Sequence, residues 1–380
     1  MQTDHSRRTA LLLLSLAIGG LAGATPAAAA TPEYRVTVVG PANSSAADIN
    51  STGVVVGAYA VSASATRAFV NRGNGFADLG TLGGRSSHAV AINDRGEVLG
   101  NWTSRAGQQR GFLYHAGKPL RGAMRRGVPY TGGQAHDIGT TSGAINNSRA
   151  TTWTDINNAG YATAIGAAAS FEDGARSYLR APDGKLTDIG NLRFDEPATL
   201  NRALALNNRN QVAGESGPVN FPDQPLRAFI WNKGTMRDLG DLGFAPNGGL
   251  AINDRGQVTG YASLNAGIRD RLAFVYTNGR LVNIDGRRPT GPRSSSGTGI
   301  NNHGHVVGTS DHLSGFIYRS RRMQSLNALI DPAQGWDIAS PQAINDAGQI
   351  AATAVRKGVS YAVRLDLIRP SALAAPQLDD

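Results

Sequence analysis

The sequence contains no cysteine, few aromatic residues and no long apolar run beyond its first 30 residues. Without cysteine there are no disulfide bonds and no thiolate ligands, so packing and hydrogen bonds must hold the fold. Without a run of about 20 apolar residues, no transmembrane helix is expected. Nucleophile elbows, phosphate-binding loops and zinc-ligand spacings are also missing, so we predict no catalytic residues, no metal site and no cofactor.

Glycine is abundant instead, with 48 residues, and the apolar runs are short. This composition is typical of many brief strands joined by turns. No part of the chain after residue 30 shows the period of an amphipathic helix. We therefore predict an all-β protein.

The first 30 residues have the features of a secretory signal peptide. Arg7 and Arg8 give a positive start, Ala10–Ala22 is apolar but too short to span a membrane, and Ala28–Ala30 offer a small-residue cleavage site. The two arginines also resemble a twin-arginine export motif that lacks its usual phenylalanine, so both export routes stay open. We expect a secreted protein, extracellular or periplasmic.

A ten-residue motif, AINDRGQVTG at Ala251–Gly260, recurs in variant form along the whole chain. It is typical of two strands around a tight turn, in which Asn caps its own backbone and Gly accepts a left-handed conformation. The Asn-Asp-x-Gly pattern also suggests calcium, but alanines at 159 and 347 interrupt the oxygen ligands, so turn capping is expected instead. The seven motif asparagines are Asn50, Asn93, Asn157, Asn207, Asn253, Asn301 and Asn345.

A second motif alternates with the first. It runs from Arg227 through an aromatic residue and a glycine turn to Asp238-Leu239-Gly240, and in most copies the aromatic and Asp positions are nine residues apart. Together the two motifs predict four strands per repeat. The aromatic position is filled by Phe69, Phe112, Tyr178, Phe229, Phe274, Phe316 and Tyr361.

Four-stranded repeats of this length are typical of propeller blades. We therefore predict a single seven-bladed β-propeller over residues 31–369, followed by a flexible tail at 370–380. The last repeat lacks its fourth strand, and residues 34–40 match the missing strand. We expect this N-terminal strand to pair into the last blade and close the ring, which removes an exposed sheet edge.

Two groups of basic residues allow alternative interpretations. An insert of about 16 residues in the second repeat, roughly 116–134, is either a solvated loop or a contact for an anionic partner. Four arginines at one strand position either pair with the repeated aspartates Asp78, Asp137, Asp188 and Asp238 or form a ring for an anionic polymer. We favour the pairing. These arginines are Arg67, Arg110, Arg176 and Arg227.

The alternating motifs AINDRGQVTG and RAFIWNKGTMRDLGDLG resemble the HAF-repeat family of bacterial extracellular proteins, named for a His-Ala-Phe triplet. The resemblance covers the chain after the signal peptide and implies a secreted repeat protein, without supplying catalytic or binding residues. The histidine of the triplet is arginine in four copies here. A histidine-based function shared with the family is therefore not expected.

Function is expected in the loops that do not repeat, because variable loops on a rigid scaffold are common binding sites. We predict a monomeric binding scaffold for an extracellular polymer or protein, with no nucleic-acid partner. The alternatives are a glycan-active hydrolase or lyase that uses loop carboxylates, and a structural envelope component. The candidate ligand-binding residues are Trp102, Glu172, Asp173, Glu215, Phe221, Asp223, Tyr261, Asp270, Asp311 and His312.

Overall fold

The computed structural model describes residues 32–73, 75–116, 133–141, 150–167, 174–192, 199–218, 226–264, 271–286 and 294–368. The expected signal peptide, the expected tail at 370–380 and most of the basic insert lie outside the described residues. Within these ranges, no helix has the length and apolar character needed to cross a membrane.

The described residues form short strands almost throughout, with two 3-10 turns at Leu326–Ala328 and Pro332–Gln334. The strands of the first half are β1 (Tyr34–Ala42), β2 (Ser44–Ile49), β3 (Val55–Ser62), β4 (Ala65–Asn71), β5 (Phe76–Gly80), β6 (Ser86–Ile92), β7 (Val98–Thr103), β8 (Gln109–Ala116), β9 (Gly133–Gly139), β10 (Ala150–Ile156), β11 (Ala162–Ala167), β12 (Ala175–Arg180) and β13 (Leu186–Asp188). Those of the second half are β14 (Thr199–Leu206), β15 (Val212–Pro218), β16 (Arg227–Asn232), β17 (Thr235–Asp238), β18 (Phe244–Ile252), β19 (Val258–Ser263), β20 (Arg271–Thr277), β21 (Arg280–Asn283), β22 (Ser295–Ile300), β23 (Val306–Ser310), β24 (Ser314–Arg319), β25 (Arg322–Ser325), β26 (Asp337–Ile344), β27 (Ile350–Arg356) and β28 (Val359–Leu367).

These strands build five four-stranded sheets and one eight-stranded sheet. Most four-stranded sheets consist of four consecutive antiparallel strands, such as β2 to β5 and β18 to β21. The eight-stranded sheet combines β10 to β13 with β14 to β17 through one parallel pairing, between Ala175 and Leu200. The prediction of an all-β protein built from four-stranded units is therefore confirmed.

The last sheet contains strands from both ends of the described chain. β1 pairs antiparallel with β28, beside β27 and β26, as predicted for the N-terminal strand. In the last repeat the strand pairing places Val363, and not Tyr361, at the aromatic position, opposite Ala352. The prediction that Tyr361 fills this position is therefore wrong. A two-residue turn at Lys357 and Gly358, both with positive φ, fixes this register.

In the other six repeats the aromatic residue is at most 2% exposed and packs between sheets. One such core region joins Ala228 and Ile230 of one sheet to Ile252 and Phe274 of the next. The aromatic residue also lies directly opposite the Asp position of the fourth strand. The six pairs are Phe69 and Asp78, Phe112 and Asp137, Tyr178 and Asp188, Phe229 and Asp238, Phe274 and Asn283, and Phe316 and Ser325.

The motif asparagines cap their turns, as predicted. In the central copy, the Asn253 Oδ1 accepts hydrogen bonds from the backbone N–H groups of Arg255 and Gln257. The turn residue has a left-handed backbone in every copy, at φ 76° for Gly256. Repeat four has Asn210 at this position, and it adopts the same conformation at φ 58°.

The same asparagines also link neighbouring repeats. Each is 3–7% exposed and donates from Nδ2 to the backbone carbonyl of the motif asparagine in the next repeat, at 2.8–3.2 Å. The last, Asn345, donates to the carbonyl of the first, Asn50, at 2.9 Å. The seven hydrogen bonds therefore form a closed cycle.

Replacement of one asparagine in this cycle should destabilise the protein strongly. Asn253→Ala removes the bonds to Asn301, Gln257 and the turn, and leaves their buried partners unsatisfied. We expect the free energy of unfolding to fall by about 2–4 kcal/mol in urea titrations. The control Asn232→Ala alters an exposed asparagine and should change it by about 0.5 kcal/mol or less. Equal effects of the two variants would contradict a structural role for the cycle.

Candidate functional site

The antiparallel sheets have two ends. The seven asparagine turns lie side by side at one of them, which we call the hairpin end. The chain passes from the second to the third strand of each repeat at the other, which we call the loop end. The passages that the structure describes in full are residues 63–64, 104–108, 311–313 and 357–358.

The four repeated arginines do not form a free cationic ring. Each has an ion pair with the aspartate on the neighbouring strand, which confirms the favoured interpretation. The nitrogen–oxygen distances are 2.8 Å for Arg67 and Asp78, 2.6 Å for Arg110 and Asp137, 3.1 Å for Arg176 and Asp188, and 3.0 Å for Arg227 and Asp238.

Five of the ten candidate residues are described by the structure. Trp102 stands apart from the other four, with its indole N–H 3.4 Å from Asp137. The structure brings together Glu215 with Tyr261, and Asp311 with His312. The candidates that lie outside the described residues are Glu172, Asp173, Phe221, Asp223 and Asp270.

Asp311 and His312 line a cavity of about 560 Å³ at the loop end, between the sheets of β22 to β25 and β26 to β28. The Ser310 Oγ lies 2.6 Å from the His312 Nδ1, and the Asp311 carboxylate accepts a hydrogen bond from the Ser294 backbone N–H at 2.9 Å. These bonds fix the two side chains on a wall rich in hydroxyl groups. We call this the polar cavity; it is lined by Ser294, Thr309, Ser310, Asp311, His312, Leu313, Ser314, Asn327 and Ala339.

Glu215 and Tyr261 belong to a charged cluster on two neighbouring sheets. The Glu215 carboxylate, with its side chain 5% exposed, accepts from the Tyr261 hydroxyl at 2.7 Å and from the Arg202 guanidinium at 2.9 Å. The Arg271 guanidinium lies 4.5 Å from the centre of the Tyr261 ring. We call Arg202, Glu215, Tyr261 and Arg271 the arginine–tyrosine cluster.

The electrostatics keep the tyrosine protonated. Burial, followed by the negative charge of Glu215 and its hydrogen bond, raises the pKa of Tyr261, and the nearby Arg271 and Arg202 lower it to a smaller extent. The phenol therefore remains a hydrogen-bond donor to the carboxylate at neutral pH.

Neither arginine of the cluster was predicted from the sequence, although a signal exists for Arg202. The position five residues before the motif asparagine is Ser, His or Thr in five repeats, Arg202 in repeat four and Gly248 in repeat five. A Cβ atom at Gly248 would lie 2.6 Å from the Glu215 carboxylate and 3.0 Å from the Tyr261 ring, so glycine leaves room for both. Departures from the repeat in two consecutive copies thus mark the cluster.

A second cavity, of about 200 Å³, lies at the hairpin end and is lined by the asparagine turns of all seven repeats and by Asp48. Asp48 and Asp155 occupy one repeat position, where the other copies have alanine or glycine. Each carboxylate accepts a backbone N–H from the next repeat, from Ile92 and Leu206 respectively. They therefore add to the bonding between repeats.

The surroundings hinder ionisation of these two carboxyl groups. Withdrawal from water raises the pKa of Asp48 to about 7, against the effect of its backbone hydrogen bonds. Withdrawal from water and then the charge of Asp48 raise the pKa of Asp155 to about 8. In the parts of the chain that the structure describes, no group of three or more His, Asp or Glu side chains is arranged to hold a metal ion.

Comparison with known proteins gives only distant similarity. No protein-family model and no curated protein sequence matches the chain. Among solved structures, it is similar to YCF48 bound to a D1 peptide, with a TM-score of 0.49 and 10% identity over 88% of this chain and 97% of that one. For TolB from Acinetobacter baumannii the TM-score is 0.43, with 10% identity over 73% and 62% of the two chains. For Trypanosoma rangeli sialidase in complex with sialic acid it is 0.42, with 10% identity over 89% and 56%. With these sequence identities and TM-scores, no function of these proteins is assigned to this chain.

The raised carboxyl pKa values predict a pH-dependent stability. Above about pH 4 the unfolded state releases both protons, near the ordinary value of 3.8, whereas the folded state keeps the proton of Asp48 up to about pH 7 and that of Asp155 up to about pH 8. The contribution of each group to the free energy of unfolding should therefore decrease as the pH rises, by about 1.4 kcal/mol for each pH unit between its own unfolded and folded pKa values. Urea titrations from pH 4 to 9, compared with a D48N/D155N variant, isolate this contribution.

A second measurement separates the two groups. In Asp48→Asn the pKa of Asp155, followed by carboxyl NMR, should decrease because the charge of Asp48 is gone. Identical pH profiles for the wild-type protein and the double variant would contradict this account.

Proposed function

We propose that this protein is a secreted seven-bladed β-propeller of the HAF-repeat type, with its ring closed by β1. The closed cycle of asparagine hydrogen bonds supports this proposal, because a cycle of seven needs seven equivalent repeats with the last beside the first. Core packing supports it as well. Val39 and Ala362 of the last sheet pack with Ile49 and Phe69 of the first.

We further propose that the protein binds an extracellular polymer or protein at its loop end, without turnover. The observation that carries this proposal is the polar cavity. Its volume falls within the usual range for ligand sites, about 300–1,000 Å³. Its hydroxyl, carboxylate and imidazole groups are held in place by hydrogen bonds, so a polar ligand would find donors and acceptors that are already oriented.

The glycan-active enzyme is the less supported alternative. Glycosidases place two carboxyl groups across the scissile bond, about 5–9.5 Å apart, and need them free to transfer protons or attack the sugar. Both described carboxylates among the candidate residues are engaged. Glu215 is bound to Arg202 and Tyr261, and Asp311 is bound to the Ser294 backbone.

The binding proposal is tested with purified protein and a panel of glycans, polysaccharides and secreted proteins, with retention and product release measured together. For a retained ligand, His312→Ala should weaken binding about tenfold, because it removes one oriented polar group of the cavity. The control His303→Ala changes a histidine at the hairpin end and should leave the affinity within about twofold. No retention of any ligand, or equal effects of the two variants, would overturn the proposal. Product release would support the enzyme instead.

Ring closure is tested by deletion of residues 31–40. The deletion removes the buried Tyr34 and Val39 and exposes the edge of β28. We expect Tm, measured by differential scanning calorimetry, to decrease by about 10 °C or more. Deletion of the expected tail, residues 370–380, is the control and should leave Tm nearly unchanged. An unchanged Tm after the N-terminal deletion would contradict closure by β1.

A further inference from the structure

Arg271 differs from the repeated arginines. Each of those has an aspartate partner, whereas Arg271 has no ion pair within the described ranges, and its buried Nε has no hydrogen-bond partner there. A buried donor without a partner costs about 1–3 kcal/mol. Its contact with the Tyr261 ring holds the guanidinium in place but satisfies none of its N–H groups.

The other members of the cluster leave a positive charge at this place. Arg202 and Arg271 carry two positive charges, and Glu215 carries one negative charge, so the net charge of the cluster is +1. Both carboxylate oxygens of Glu215 are already engaged, one by Arg202 and one by Tyr261. The carboxylate is shielded from solvent, while 47% of the Arg202 side chain is exposed. An incoming ligand therefore meets cationic groups in front of a buried anion.

The strand that carries Arg271 begins next to a residue of the polar cavity. Arg271 is the first residue of β20, and its backbone forms a parallel bridge with Ser294, which lines the cavity. The backbone at Arg271 is thus a direct neighbour of the hydroxyl-rich wall. The chain as a whole has a formal net charge of +9, which attracts anionic polymers over longer distances.

We propose that the arginine–tyrosine cluster binds the carboxylate of an acidic polysaccharide, such as a chain of hexuronic acids. A planar carboxylate fits the fork of N–H groups on a guanidinium and would supply the acceptor that the Arg271 Nε lacks. Neighbouring sugar hydroxyls would meet the wall of the polar cavity. A polymer that alternates carboxylates and hydroxyls matches both parts of this surface.

This inference rests on the proposed binding function and names a ligand class for it. The two can fail separately. If polysaccharides are retained but the cluster variants have no effect, only the role of the cluster is overturned. If nothing in the panel is retained, the binding function and the cluster proposal are both overturned.

The test uses the protein from residue 31 to its end and four polymers. Polygalacturonate is the probe, and its fully methyl-esterified form has the same backbone without the charge. Polyglutamate carries the same carboxylate on a peptide, and dextran sulfate is a polyanion without carboxylates. Affinities are measured by isothermal titration calorimetry at 150 mM salt, where unspecific attraction between exposed charges is largely screened.

We expect polygalacturonate to bind at least tenfold more tightly than the methyl ester, polyglutamate or dextran sulfate. Arg271→Gln should reduce this affinity about tenfold or more. The control Arg237→Gln removes an exposed arginine that also lies over a tyrosine ring, that of Tyr276, and should change it less than twofold. Circular dichroism checks the fold of each variant.

Arg202→Gln provides a second variant at an exposed position, in case Arg271→Gln fails to fold; we expect a reduction of about threefold or more. Equal losses in the cluster and control variants would overturn the proposal, because they would indicate general charge attraction. Equal binding of the methyl ester would also overturn it. Tighter binding of polyglutamate would overturn the polysaccharide as the ligand and indicate an acidic peptide instead. Tighter binding of dextran sulfate would exclude recognition of a carboxylate.

Discussion

The hydrogen bond from each motif asparagine to the carbonyl of the next is the interaction on which the other features of this structure depend. It connects neighbouring repeats at the hairpin end and gives the buried amide N–H of each motif asparagine a partner. Because Oδ1 of the same side chain caps the turn, one residue fixes both the local hairpin and its position against the next sheet. The sheets are thereby aligned, and the cores between them can pack.

A second set of bonds runs beside this cycle and engages the side chains of the Asn-Asp turns. In six repeats the residue after the motif asparagine accepts, through its side-chain oxygen, the backbone N–H of its counterpart in the preceding repeat. Asp94 accepts from Ser51, and Asp254 accepts from Asn208. Oxygens that could have been calcium ligands are thus already used within the protein. Asp48 and Asp155 add further bonds of this kind between repeats. Withdrawal from water favours the protonated form of both, and the charge of Asp48 adds to the effect on Asp155.

The hairpin end is therefore uniform, and chemical variety concentrates at the loop end. Residues at the loop end are not needed in every repeat for contact between neighbouring repeats. The residue type at these positions can therefore differ from one repeat to another. Repeats four and five depart from the pattern together. Arg202, Glu215, Tyr261 and Arg271 form one connected group, in which the glycine at 248 provides the space.

The sequence by itself determined the four-stranded units, the capped turns and the pairing of the repeated arginines with aspartates. These features rest on contacts within a repeat, and their residue types recur at constant spacing, so one copy explains the others. Asn210 follows the same rule although it departs from the motif, because it adopts the left-handed turn conformation in place of glycine. Sequence alone failed at Tyr361, where a two-residue turn shifted the register by two positions.

Only the tertiary structure decided which residues of different repeats meet. Glu215 and Tyr261 are 46 residues apart in the chain, yet their side chains share a hydrogen bond. Arg271 lies ten residues further on and reaches the same ring from the neighbouring strand. The cycle through Asn345 and Asn50 spans 295 residues. Such contacts depend on how the sheets pack side by side. The repeat pattern in the sequence does not indicate which of the residues that depart from it will face each other between two sheets.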